Sequence, residues 1–133
     1  MIFSTKSTYG LRAMINLAQV QKAGSVSLAK IAKKENISLK YLERLFAYLK
    51  KAGLVKSIKG ATGGYQLAKN SRQIDLYEII KSLEGKLTFF HCLDDQGKVY
   101  CNKSCDCGAT FILKKVQQSI EQTLKKIKLS QLI

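Results

Sequence analysis

The chain has 133 residues, of which 46% are hydrophobic, and its 23 Lys and Arg against 9 Asp and Glu give a formal net charge of +14. This length suits one domain with a modest extension, and the apolar fraction is sufficient for a globular core. The sequence has no uninterrupted apolar stretch long enough to cross a bilayer, and its start lacks the pattern of a signal peptide. We therefore expect a cytoplasmic protein with no membrane partner.

The positive charge is concentrated in the first half of the chain. Residues 1–60 hold 12 Lys or Arg and 2 Asp or Glu, which is +10, whereas residues 61–108 hold 6 of each and residues 109–133 hold 5 and 1. A basic first half indicates a polyanionic partner, most simply nucleic acid. The alternative is a generally lysine-rich protein whose charged side chains are only solvated.

Three helices are predicted in this first half. Residues 5–22 place apolar side chains at helical spacing. Ser27 is expected to cap a helix over residues 28–35, and Asn36 to take a left-handed turn before Ser38 caps the next helix. Two helices joined by a short turn are the helix-turn-helix signature. The buried stripe of the last helix, which Gly53 ends, is predicted to be Leu42, Leu45, Phe46 and Leu49.

A hairpin is predicted directly after this helix pair. The stretch "LVKSIKG" alternates as a strand can, "GATGG" supplies turn glycines, and "YQLA" resumes a strand pattern. A hairpin in this place is a wing, so residues 1–70 are predicted to form a winged helix-turn-helix. Residues 74–85 predict a further helix with Asp75 in its first turn, which completes a domain over residues 1–84. The alternative is a three-helix core with an incidental hairpin.

The end of the chain predicts one long amphipathic helix over residues 109–133. Its apolar stripe is too long for one small domain to cover, and a second copy of the helix could cover it in a two-fold dimer. The alternative is that the helix folds back on its own domain. The predicted fold is therefore mainly α, with a winged helix-turn-helix domain (1–84), a cysteine-containing loop (85–108) and a dimerisation helix (109–133). The stripe consists of Phe111, Leu113, Val116, Ile120, Leu124 and Ile127.

All four cysteines of the chain fall in one window, at Cys92, Cys101, Cys105 and Cys107. In a reducing cytosol, clustered thiols indicate a metal or redox site before they indicate disulfides. Thiolates suit iron–sulfur clusters, zinc and Cu(I). The spacing matches neither a standard ferredoxin nor a pair of CxxC zinc knuckles, so spacing alone leaves open an iron–sulfur cluster, zinc or a metal-free thiol switch.

Several segments together resemble the IscR-type (Rrf2) family of bacterial transcription regulators, which includes iron–sulfur sensors and cluster-free relatives. They are "STKSTYGLRAMINLA", "ISLKYLERLFAYLKKAGLVKSIKGATGGYQLAK" and the cysteine window. The resemblance covers essentially the whole chain. It implies a homodimer on double-stranded DNA, with an N-terminal winged helix, a cysteine loop and a long dimerisation helix.

The resemblance also implies a set of metal ligands. In cluster-binding members three cysteines precede the dimerisation helix, which points to Cys92, Cys101 and Cys107 as ligands of an iron–sulfur cluster, 2Fe–2S in preference to 4Fe–4S. Cys105 is one cysteine more than usual, and Thr110 stands about where such members have histidine. The fourth ligand is therefore open between Cys105, His91 and a carboxylate of the partner subunit, and zinc is the alternative occupant.

The candidate DNA-contacting residues lie on three elements. Base edges are read by the N-terminal end of a recognition helix, while basic flanks hold phosphates. Arg44 suits guanine and Glu43 suits the N4 amine of cytosine, while Tyr41 fits the core equally well. The resemblance implies that Glu43 helps to choose between types of site. The full set is Ser38, Lys40, Tyr41, Glu43 and Arg44 on that helix, Lys56, Lys59 and Gly60 on the wing, and Lys6, Tyr9 and Arg12 on the first helix.

The sequence offers no catalytic constellation. His91 is the only histidine, and the chain contains neither a clear base–nucleophile pair nor a phosphate-binding Gly-Lys-Ser/Thr loop. We therefore expect a regulator of transcription whose cysteine loop senses iron–sulfur or redox status, and not an enzyme. The alternatives are a zinc-stabilised nucleic-acid-binding module and a cluster-free regulator that acts through thiol redox chemistry or a protein partner.

Overall fold

The computed structural model describes residues 3–21, 24–60, 63–90, 92–99 and 107–133. Within these ranges the chain is mainly helical, with one antiparallel hairpin, and the predicted winged helix-turn-helix is confirmed. Short 3-10 turns cover Ser71–Gln73 and Leu129–Leu132. The elements are α1 (Thr5–Val20), α2 (Leu28–Glu35), α3 (Leu39–Lys51), β1 (Val55–Ile58), β2 (Gly64–Leu67), α4 (Leu76–Glu84) and α5 (Gly108–Lys126).

Serine caps set the starts of the first three helices. The side chains of Ser4, Ser27 and Ser38 accept hydrogen bonds from backbone N–H groups in the first turns of α1, α2 and α3. Asn36 ends α2 in the left-handed conformation, with φ of 55°. The caps predicted at Ser27 and Ser38 are confirmed, and each typically stabilises its helix by about 1 kcal/mol relative to alanine.

The core lies where α1, α3 and α4 meet. All four side chains of the stripe predicted on α3 are fully buried. Gly10 on α1 allows the close approach of α4, because a Cβ there would lie 2.3 Å from Cδ1 of Leu83. The other fully buried side chains of these helices include Met14, Leu17 and Ile79.

The wing is tied to the start of α2. Strands β1 and β2 pair from Val55 opposite Leu67 to Ile58 opposite Gly64. Val26, just before α2, exchanges two backbone hydrogen bonds with Tyr65, at 2.9 and 2.8 Å. A Cβ on Gly64 would lie 2.3 Å from the carbonyl oxygen of Val26. Glycine is therefore required at position 64 by a close backbone approach, and not only by the turn that the sequence predicted.

The last segment of the chain departs from the prediction. Helix α5 ends at Lys126 instead of continuing to residue 133, and Ile127 is extended. The backbone of Leu129 donates to Ile74, and that of Leu76 donates to Ile127. Leu129 is fully buried in the core. The helix stops because the apolar end of the chain is buried against the start of α4.

Helix α4 is held to the N-terminus of α1 by a partly buried carboxylate. Oε1 of Glu84 accepts three hydrogen bonds: from the Ser4 backbone at 2.9 Å, the Ser4 hydroxyl at 2.7 Å and the Ser7 hydroxyl at 2.6 Å. Partial burial acts to raise the pKa of Glu84, but the hydrogen bonds from Ser7 and Ser4 outweigh it and hold that pKa below its ordinary value.

Glu84→Gln is expected to lower the free energy of unfolding by about 1–2 kcal/mol near neutral pH, because a neutral amide accepts weaker hydrogen bonds than a carboxylate. Since the folded-state pKa is lowered, this stabilisation is present above the unfolded pKa, about 4.3, and is lost as the pH falls through the folded pKa. Urea unfolding across that pH range measures the difference in the free energy of unfolding between wild type and variant. A difference that does not narrow in acid would contradict the assignment, and Glu121→Gln on α5 is the control.

Candidate nucleic-acid interface and cysteine window

The N-terminal end of α3 presents polar side chains to solvent. Lys40, Glu43 and Arg44 are exposed, and within the described residues none of them has a hydrogen bond or an ion pair. Ser38 is also exposed, but its hydroxyl caps α3 by accepting from the backbone of Tyr41. Two cations and one carboxylate at this end are thus available to a ligand.

Two tyrosines join this end of α3 to α1. The Tyr41 hydroxyl lies 3.1 Å from the Thr5 hydroxyl, and its ring meets the Tyr9 ring edge to face at 6.1 Å between centroids. Both rings also pack against the core. Tyr9 and Tyr41 therefore position α3 against α1, and their contacts with DNA stay predictions. Thr5 is a partner that sequence reasoning missed, because no local pattern pairs it with Tyr41.

The two basic candidates of α1 already have partners. The Lys6 ammonium lies 5.6 Å from the centroid of the Tyr48 ring. Arg12 donates from Nε to the Glu35 carboxylate at 3.1 Å and from Nη2 to the Glu35 carbonyl at 2.7 Å. Arg12 thus fastens α1 to the end of α2, and a phosphate would have to share its guanidinium.

The wing adds cations beside α3. Lys56, Lys59 and Gly60 are exposed, and in the described part of the chain neither lysine has a partner. Lys50 of α3 donates to the Ser57 hydroxyl at 2.9 Å, which links the helix to β1. An open groove of about 550 Å³ runs between α2, α3 and the wing. It is lined by Ser27, Leu28, Ala29, Leu39, Glu43, Gly63, Gly64 and Tyr65.

Helix α2 carries further cations that were not among the predicted contacts. Lys30, Lys33 and Lys34 are exposed and have no partner among the described residues. The first helix of a helix-turn-helix pair crosses the DNA backbone, so lysines on it suit phosphates. The lysine-rich stretch "LAKIAKKE" was the signal that could have found them.

Only part of the cysteine window falls within the described residues. Cys92 and Cys107 are half-buried, and Cys107 is the N-cap residue of α5. His91, Cys101 and Cys105 lie outside the described residues.

The segment after Cys92 docks on α5. Leu93 and Val99 form an antiparallel bridge. The turn between them is closed by the Asp94 carboxylate, which accepts from the backbone of Lys98 at 2.7 Å. The buried side chain of Gln117 donates to the Asp94 carbonyl at 2.9 Å. The segment that follows Cys92 is therefore packed against α5.

The thiols among the described residues are suitable ligands for a metal ion or cluster, but they do not by themselves form a complete site. Across the described ranges, no three His, Cys, Asp or Glu side chains are grouped so as to hold a metal ion. The thiols of Cys92 and Cys107 are soft donors of the kind that such a group prefers. Thr110, at the position where the resemblance implies histidine, is buried on α5. Gln117, two turns further along, has a buried Oε1 without a hydrogen-bond partner in the described part of the chain.

Comparison with known proteins agrees with this arrangement. The model of the Rrf2 family, described as an iron-dependent transcriptional regulator, matches residues 3–133. The chain belongs to the Rrf2 family. As members of that family are regulators of transcription, this Rrf2 protein is a helix-turn-helix transcription regulator and not an enzyme, as the sequence predicted.

Individual relatives align over nearly the whole Rrf2 chain. The HTH-type transcriptional regulator IscR of Escherichia coli is 34% identical over 133 residues, which is all of this chain and 80% of that protein. The structure of T. potens IscR matches with a TM-score of 0.77 and 40% identity, covering 98% of this chain and 84% of the other. CymR, the global cysteine regulator of B. subtilis, matches with a TM-score of 0.83 and 34% identity, covering 99% and 95%.

Among the described residues, no helix combines the length and the apolar character that crossing a bilayer requires.

Proposed function

We propose that this regulator acts in the cytoplasm as a homodimer, reads double-stranded DNA with α3 and the wing, and holds an iron–sulfur cluster in its cysteine window. The observation that carries the proposal is the placement of all four cysteines within residues 92–107, immediately before α5 of an Rrf2 chain. The cluster is 2Fe–2S in preference to 4Fe–4S.

DNA reading is supported by the side chains left without partners. Lys40, Glu43 and Arg44 on α3 and Lys56 and Lys59 on the wing are exposed, and none is engaged elsewhere in the described part of the chain. Arg44 suits a guanine edge and Glu43 the N4 amine of cytosine. The wing lysines suit phosphates, which supply affinity without sequence preference.

Replacing Lys56 and Lys59 together with alanine is expected to weaken binding to all duplexes alike. Each lost phosphate contact reduces the slope of log K against log salt by about one unit. Fluorescence anisotropy over a range of salt concentrations measures this slope. The matched control is the double replacement of Lys98 and Lys126, which are exposed outside the winged helix. An unchanged slope in the wing variant would show that the wing does not touch DNA.

The homodimer is supported by apolar surface on α5. Phe111, Ile112 and Val116 are exposed by 64%, 61% and 42%. Three large apolar side chains on one helix favour a protein partner over solvent. A second copy of α5 covers them with two-fold symmetry and brings two recognition helices to two half-sites.

The cluster would be held by thiolates of Cys92, Cys101 and Cys107. The fourth ligand would come from Cys105, His91 or a carboxylate of the partner subunit. Cys107 begins α5, where the positive end of the helix dipole favours a thiolate and an anionic group. When bound, a cluster supplies a centre whose charge changes on one-electron reduction. The protein residues would bind it, and Gln117 holds the turn at Asp94, which follows Cys92, against α5.

A second candidate is a cluster-free regulator that acts through thiol chemistry or a protein partner. The likeness to Staphylococcus aureus CymR, whose structure is described as an oxidized form, favours thiol chemistry. In a third candidate, the same thiols bind zinc.

Purification without oxygen, followed by visible absorbance and assays for iron, sulfide and zinc, separates these candidates. The proposal expects a brown protein with iron and sulfide in equal amounts. A colourless protein with bound zinc, or one with neither metal after cluster reconstitution, would overturn the cluster assignment.

A further inference from the structure

Leu39 differs from the other leucines and the phenylalanine of α3. Leu42, Leu45, Phe46 and Leu49 are fully buried, whereas Leu39 is 41% exposed. A single exposed leucine is ordinary on a protein surface and carries no meaning by itself. Its place is what matters, since Leu39 is the first residue of the recognition helix, directly after the Ser38 cap.

Leu39 faces the same groove as Glu43. The two residues are four positions apart on α3, which places them on the same side of the helix. Both line the open groove that α3 shares with Ala29 and with Gly63 and Gly64 of the wing. The lining also includes Leu28 and Tyr65, yet Leu39 is still 41% exposed, so a ligand that enters the groove can reach its side chain.

The major groove of DNA offers one kind of apolar group to a reader, the C5 methyl of thymine. An apolar side chain at the end of a recognition helix can distinguish thymine from the other bases by contact with that methyl. Along an α-helix, four residues span about 6 Å, which is about two base-pair steps. Leu39 and Glu43 can therefore read neighbouring positions of one half-site.

We propose that Leu39 is a specificity-determining residue that contacts a thymine methyl within about two base pairs of the base read by Glu43. This inference rests on the proposed role of α3 as the recognition helix. Leu39 would add an apolar base contact to the polar contacts of α3. The preferred half-site would then contain a thymine that polar contacts alone do not require.

The test removes only the methyl group. Duplexes are first selected from a random pool by the wild-type homodimer, and each thymine of the selected site is then replaced in turn by deoxyuridine. At one symmetry-related pair of thymines, replacement by deoxyuridine is expected to lower the affinity of wild type about fourfold per methyl removed. This factor corresponds to the free energy of burying one methylene group. Leu39→Ala should bind the parent duplex more weakly and should not distinguish thymine from deoxyuridine at that pair.

Val20→Ala, which truncates an exposed apolar side chain at the end of α1, is the matched control and should keep the discrimination. Thermal unfolding of Leu39→Ala should match wild type, because the side chain is exposed and alanine favours helix. The inference is overturned if wild type ignores every methyl, if the selected site has no invariant thymine, or if Leu39→Ala keeps full discrimination. Absence of any enriched duplex would instead refute DNA reading by α3.

Discussion

Replacing Ile112 and Val116 together with aspartate is expected to produce monomers that bind operator DNA at least about 100-fold more weakly than wild type. The two side chains lie one turn apart on the exposed face of α5, so charges there oppose burial against a second copy. A monomer reads one half-site at a time and loses the gain that linked readers provide. Sedimentation velocity measures the assembly, and anisotropy measures the affinity.

The control for this variant is Gln122→Asp, which adds charge to another exposed position of α5. Leu124, a member of the apolar stripe read from the sequence, is a poor site for the test because it packs against the core of its own domain. An intact dimer in the double variant would place the interface elsewhere. Monomers that keep wild-type affinity would refute the need for two linked readers.

Alanine at Cys92, Cys101 or Cys107 is expected to abolish the visible absorption of the anaerobically reconstituted protein, because each removal takes away one thiolate ligand of the proposed cluster. Cys105→Ala, the comparison within the same window, should keep the absorption if the fourth ligand is His91 or a carboxylate of the partner subunit. Iron and sulfide assays on each variant, with circular dichroism to check the fold, complete the measurement.

Each departure from this pattern has a separate meaning. Loss at Cys105 with survival at Cys107 would overturn the ligand assignment. Loss at all four positions would make the centre a four-cysteine site with no outside ligand.

The sequence by itself determined the local structure and the kind of protein. Serine caps at Ser27 and Ser38, the left-handed Asn36 and the buried stripe of α3 all depend on residues within about four positions of one another, and such short-range patterns are legible before the chain folds. The resemblance to the family could be recognised from the sequence for the same reason, since the motifs that carry it are continuous segments. Because the helices and strands were predicted in the right order, the polar end of α3 and the basic wing could also be located from the sequence.

Only the tertiary structure decided which side chains are already engaged. Arg12 is a plausible phosphate contact in sequence, yet the fold pairs it with Glu35. Glu84 meets Ser4 and Ser7 across about 80 positions of chain. Gly64 is required because of Val26. Helix α5 stops at Lys126 because the core near Ile74 buries Leu129. The apolar spacing within α5 does not show that this burial is favoured over a longer helix. Contacts between distant segments depend on the packing of whole elements, which local patterns do not encode.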